Sequence, residues 1–192
     1  MRAITLDLRS IVALTEEHFY QLCQANPDIK FERTAKGELV VMPPTGWETG
    51  KRNTQLTKQL AIWADEDGTG IAFDSSTGFT LPNGADRSPD AAWVRQERIN
   101  AINPDPNKFL PLAPDFAVEL MSANDRLEKT RAKMVEYRDN GVRLGWLIDP
   151  QNKYVEIYWL CRDKEVLQSP TTLSGEDVLP GFVLDLSHIF VP

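Results

Sequence analysis

The segment from Asp115 to Asp149 constrains the fold more than any other. It opens with DFAVELM, a continuous apolar run broken by a single acid, Glu119. It continues through a polar stretch, Asp125 to Asn140, that reads as a helix stopped by Gly141, and closes with a second apolar run, LGWLIDP. Unbroken apolar strands belong to sheets covered on both faces. A strand, a helix and a second strand in that order form a right-handed crossover with parallel strands. The chain is therefore predicted to be α/β, a mixed β-sheet flanked by helices.

The remaining segments fit around that unit. Thr15 caps a short helix that Asn26-Pro27 closes. IKFERTAKGELVVMPP alternates and carries a Lys36-Gly37 turn, the pattern of a β-hairpin. Trp47 to Asp65 is predicted helical, with Leu56, Leu60 and Trp63 as a sheet-facing stripe. Short strands follow near Ile71–Asp74, Thr77–Leu81 and Asp90–Arg95, with connections short enough for antiparallel pairing. Gln96 to Pro114 holds four prolines and reads mainly as loop. YVEIYWL returns on LGWLIDP through Gln151-Asn152. A single domain over residues 1–192 is expected, with an N-terminal helix and hairpin extension (1–46), a core (47–160) and a C-terminal tail (161–192).

Several function classes drop out on composition. No apolar run approaches the roughly 20 residues a membrane helix needs, and the start, MRAITLDLRSIVAL, lacks the h-region of a secretion signal. A cytoplasmic protein with no membrane partner is expected. Cys23 and Cys161 stand far apart and in no CxxC pair, which fits reduced thiols rather than a zinc site. The net charge of −7 argues against a tight nucleic-acid binder. The acidity is uneven, however: residues 125–143 carry six basic side chains against four acids, while residues 149–192 carry three against seven. Local fields can thus oppose the net sign.

Glu119 is the most informative residue. An ionised carboxylate inside an apolar strand is expensive unless a metal, a partner or water meets it. The polar SANDR that follows puts Glu119 near the strand's C-terminal end, where open α/β sheets bind ligands. Asp90 opens a second apolar strand, DAAWV, directly after Ser88-Pro89. Two such acids on one sheet edge suit a hard divalent cation, Mg²⁺ or Mn²⁺, which takes one or two carboxylates together with water and phosphate. Glu48 begins the helix after PPTGW, where a helix N-terminus favours a carboxylate. His18 and His188 are isolated, and the tryptophans read as core apart from Trp47, beside Glu48.

The combination GELVVMPPTGWETGKRN, RSPDAAWV, APDFAVELMSANDR, a K-x-x-x-Y-x-x-x-G helix and GWLIDP resembles the Uma-type restriction endonuclease family, within the PD-(D/E)xK nuclease superfamily, over roughly Thr15 to Leu160. The resemblance implies a restriction-endonuclease-like fold, cleavage of DNA and a homodimer, for which the acidic region from Asp149 onward could supply an edge. It also implies Asp90 and Glu119 as metal ligands, with Glu48 as a third acid and the Leu120 carbonyl as an added donor. The superfamily's lysine two residues past the acid is Met121 here. The family's helix lysine corresponds to Lys133, four residues before Tyr137, with Lys129 one turn earlier as the alternative. Removing Lys133 is expected to abolish cleavage while leaving the fold nearly intact. The competing readings are a catalytically inactive nuclease fold that binds nucleic acid or protein, and a metal-free two-carboxylate hydrolase of sugars.

Overall fold

The computed structural model describes residues 3–190. DFAVELM and LGWLIDP form β8 (Phe116–Leu120) and β9 (Leu144–Asp149), parallel and in register Glu119↔Leu147, joined by α4 (Leu127–Asp139). On one side β9 pairs with β10 (Tyr154–Trp159), which pairs with β11 (Glu165–Gln168). On the other, β8 pairs with β7 (Ala91–Arg95), which pairs with β4 (Gly70–Asp74). Every pair but β8–β9 is antiparallel, so the six-stranded sheet, β11-β10-β9-β8-β7-β4, is mixed as expected.

A second, five-stranded sheet was not foreseen. Its order is β1-β3-β2-β6-β5, built from β1 (Ile4–Leu6), β2 (Lys30–Arg33), β3 (Leu39–Met42), β5 (Phe79–Thr80) and β6 (Asp86–Arg87). The hairpin β2–β3 turns at Gly37, whose φ of +79° favours glycine. Strands of two or three residues leave no readable alternation, which is why β1 and β6 escape a periodicity argument, while β5 falls inside the expected Thr77–Leu81 strand. Arg33 staples β2 to β6 through Asp86, at 2.6 Å.

The helices are α1 (Glu16–Ala25), capped by Thr15, α2 (Trp47–Asp67), closed by Gly68, and α3 (Gln96–Ile102). The last corrects the reading of 96–114 as loop. The prolines begin only at Pro104, leaving QERINAI free to form two turns before Asn103 ends them in a left-handed conformation. Residues past 160 also do more than trail. A ribbon of β12 (Thr172–Ser174) and β13 (Val183–Asp185) brings Leu173, Leu179, Phe182, Leu184 and Ile189 into the core beside Trp146.

Period-two alternation sorts the main sheet's side chains onto two faces. Phe116, Val118 and Leu120 of β8, with Val155, Ile157 and Trp159 of β10, pack under the Leu56–Leu60–Ala64 stripe of α2. Ala117 and Tyr158 lie on the opposite face, with Met134 and Tyr137 of α4. The acids that interrupt these strands, Glu119 and Glu156, both contact α4 side chains on that second face. α4 buries Met134 and Tyr137 against this face, with Leu127 packed beside them, and adds ion pairs from Lys133 to Glu119 and from Arg131 to Glu156. Among the described residues, no helix is long and apolar enough to cross a membrane.

Candidate active site

Asp90 and Glu119 meet at the β7–β8 border. The Asp90 N–H donates to the Val118 carbonyl at 2.9 Å, and its Oδ2 accepts the Leu120 N–H at 2.7 Å. The carboxylate is thereby fixed on β8, at the amide next to Glu119. Asn53 of α2 lies 3.4 Å from its Oδ1. Glu119 is 9% exposed, and its Oε1 accepts from Lys133 Nζ at 2.8 Å and from the Tyr137 hydroxyl at 2.9 Å. Lys133 and Tyr137 stand four residues apart on α4, one turn, so a single helix face delivers both.

Lys133 is shared. Its Nζ also reaches Glu32 Oε1, at 2.7 Å, across to the second sheet. Glu32, 3% exposed, further accepts the Ser88 N–H at 3.1 Å and pairs with Arg87 at 3.2 Å, while Arg87 reaches Glu136 of α4 at 2.6 Å. The second sheet thus bears on the site through a chain of alternating charges.

The electrostatics follow from this wiring. Burial pushes Glu119 up to about 7, helped by the Asp90 and Glu32 carboxylates and opposed by Lys133. Asp90 is likewise raised by burial, against the pull of Lys30, the Leu120 N–H and Lys133. Glu32 goes the other way: burial would raise it, but Lys133 and Arg87 outweigh that and hold it at about 2. Burial would lower Lys133, yet Glu119 and Glu32 hold it above its usual value. It is therefore an ammonium, a donor and not a base, at neutral pH.

Sequence reasoning named Asp90, Glu119 and Lys133, and Lys133 contacts Glu119 directly, with Asp90 secured one residue away. Lys129, one turn before Lys133, is exposed. Glu48 heads the Arg52–Leu56–Leu60 stripe of α2 and is paired with Arg52 at 3.1 Å. Among the described residues no three His, Cys, Asp or Glu side chains group as a metal site, so Glu48 does not join the two acids. Glu32, Tyr137, Arg87 and Asn53 were missed. The signal for Glu32 was faint: KFER places an acid between two bases on a short strand, the look of a solvated edge.

The donor chemistry fits a divalent cation. Two carboxylates anchored at neighbouring positions of the β7–β8 border, each pushed up by burial, are what a hard cation with few protein ligands would relieve.

A family model described as "Putative restriction endonuclease", Uma2, matches residues 16–187. Among solved structures, that of a putative nuclease of family DUF820 from Anabaena variabilis is similar, with a TM-score of 0.71 and 19% identity, covering 83% of this chain and 89% of that one. Among curated proteins none matches.

Proposed function

The chain belongs to the Uma2 family, and from that premise we propose that it is an endonuclease that hydrolyses DNA phosphodiester bonds with Mg²⁺ or Mn²⁺ held by Asp90 and Glu119. The observation that carries the reading is the Asp90–Glu119 pair on adjacent strands with the Lys133 ammonium 2.8 Å from Glu119. A bound cation would polarise a phosphoryl oxygen and acidify a water.

The chain's own residues do the rest. Tyr137 and Lys133 both engage Glu119 Oε1, fixing the carboxylate's orientation. Leu120 N–H and the backbone bond to Val118 fix Asp90. Lys133, kept protonated by its two carboxylates, orients the attacking water and offsets charge building on the phosphate. The nuclease is proposed to act as a homodimer. β1 and β11 end their sheets, and Ile4, Leu6 and Ile11 stand exposed along the β1 side.

The test is cleavage of supercoiled plasmid by the purified protein with Mg²⁺ or Mn²⁺, with and without chelator. Chelator-sensitive nicking that Asp90→Asn and Glu119→Gln both eliminate is expected. No cleavage under any divalent metal would instead favour the inactive-fold reading; chelator-insensitive cleavage would remove the metal from the mechanism.

A further inference from the structure

β2 places a second lysine at the site. Lys30 and Glu32 alternate onto the same face of the strand, and both reach Ser88, two residues before Asp90. Lys30 Nζ lies 3.5 Å from the Ser88 carbonyl, and Glu32 accepts the Ser88 N–H. Lys30 therefore stands on the Asp90 side of the carboxylate pair, as Lys133 stands on the Glu119 side. Its charge is also the strongest cationic influence on Asp90.

The two lysines are committed differently. Lys133 gives two N–H groups to carboxylates at 2.7 and 2.8 Å. Lys30 has one long contact to a neutral carbonyl and, among the described residues, no ion pair within 4.0 Å. It is half-buried, and its one long contact leaves the ammonium two further N–H groups to give. An ammonium with open donors beside a pair of carboxylates that would hold a cation is suited to a phosphate oxygen, which it binds as a point charge. In a chain of net charge −7, this cation sits where a polyanion would have to approach.

We infer that Lys30 is a substrate-binding and catalytic residue whose ammonium contacts a non-bridging oxygen of the phosphodiester positioned at Asp90 and Glu119. The inference rests on the nuclease reading. It divides the work: Lys133 serves the water and Glu119, while Lys30 holds the phosphate and balances its developing charge.

The experiment compares wild type, Lys30→Ala and Lys30→Arg in two assays. Single-turnover cleavage of a labelled duplex is measured with saturating Mg²⁺ across pH. Duplex binding against salt concentration is measured with Mg²⁺ present in the Glu119→Gln background, where the DNA stays intact. Lys30→Ala should slow cleavage by about 10²-fold at every pH, as for loss of a charge-stabilising group. It should also lower the salt slope by about 0.9, one phosphate contact, and Lys30→Arg should restore most of both. Wild-type cleavage by Lys30→Ala overturns the inference and leaves the nuclease reading standing. So does a Lys30→Ala rate that recovers fully at high pH, since Lys30 would then act only by keeping Asp90 ionised. If the wild type cuts nothing, the nuclease reading fails and the binding assay alone decides: an unchanged salt slope, or no duplex binding at all, overturns the inference as well.

Discussion

Lys133 holds more of the site together than any other side chain, and this changes what its removal should do. From sequence, Lys133→Ala was expected to abolish cleavage with the fold nearly intact. Between Glu32 and Glu119, however, the ammonium neutralises two carboxylates that are 3% and 9% exposed. Deleting one partner of a buried ion pair costs about 3–5 kcal/mol. Lys133→Ala should therefore lower stability in denaturant melts by roughly 3 kcal/mol and, assayed well below its lowered midpoint, cut DNA at least about 10²-fold more slowly. Lys129, exposed on the same helix, should behave otherwise: Lys129→Ala should leave stability unchanged and only weaken DNA binding in a salt-dependent way. Undiminished cleavage by Lys133→Ala would sink the assignment, and loss confined to Lys129→Ala would move the role back one turn.

At the scale of elements, α4 is suspended between two buried acids. Lys133 and Tyr137 tie it to Glu119 on β8, and Arg131 ties it to Glu156 on β10 at 2.6 Å. Glu156 is fully buried; burial would raise it, but hydrogen bonds from Arg131, Tyr154, Tyr158 and Lys164 bring it down to about 2. Its folded value lies below the ordinary carboxylate value of 4.5, so its contribution to stability is present above about pH 4.5 and is lost as pH falls from there towards 2. A shift of that size corresponds to about 3 kcal/mol. Allowing for solvent at the half-exposed Arg131 and Lys164, about 2 kcal/mol is expected. Melts of wild type and Glu156→Gln from pH 7 to pH 3 check this: the wild type should lose that much more stability on acidification, and parallel losses would refute the role. The strand–helix–strand unit was legible because its apolar runs are long, and Asp90 and Glu119 because each acid interrupts one. Glu32 and Lys30 were not, because KFER is amphipathic only with respect to a second sheet assembled from strands too short to be read. α4 itself was legible as a helix, but the ion pair from its Arg131 to the buried Glu156 was not.

The whole molecule places one sheet on each side of the site. Glu32 and Lys30 come from the second sheet, Asp90 and Glu119 from the main one, and Lys133 from the helix that both sheets grip. The exposed apolar rim at Ile4, Leu6 and Ile11 leads us to expect a dimer of mass near twice 21.7 kDa by light scattering, dissociated by Leu6→Glu; a mass of 21.7 kDa at every concentration would refute it. The contact between Glu32 and Lys133 joins positions 101 residues apart, closing a long loop at an entropic cost that local contacts do not carry. Lys133 is thus a keystone laid by two parts of the chain: the main sheet supplies one of its carboxylates and the early hairpin the other, and neither part alone completes its seat.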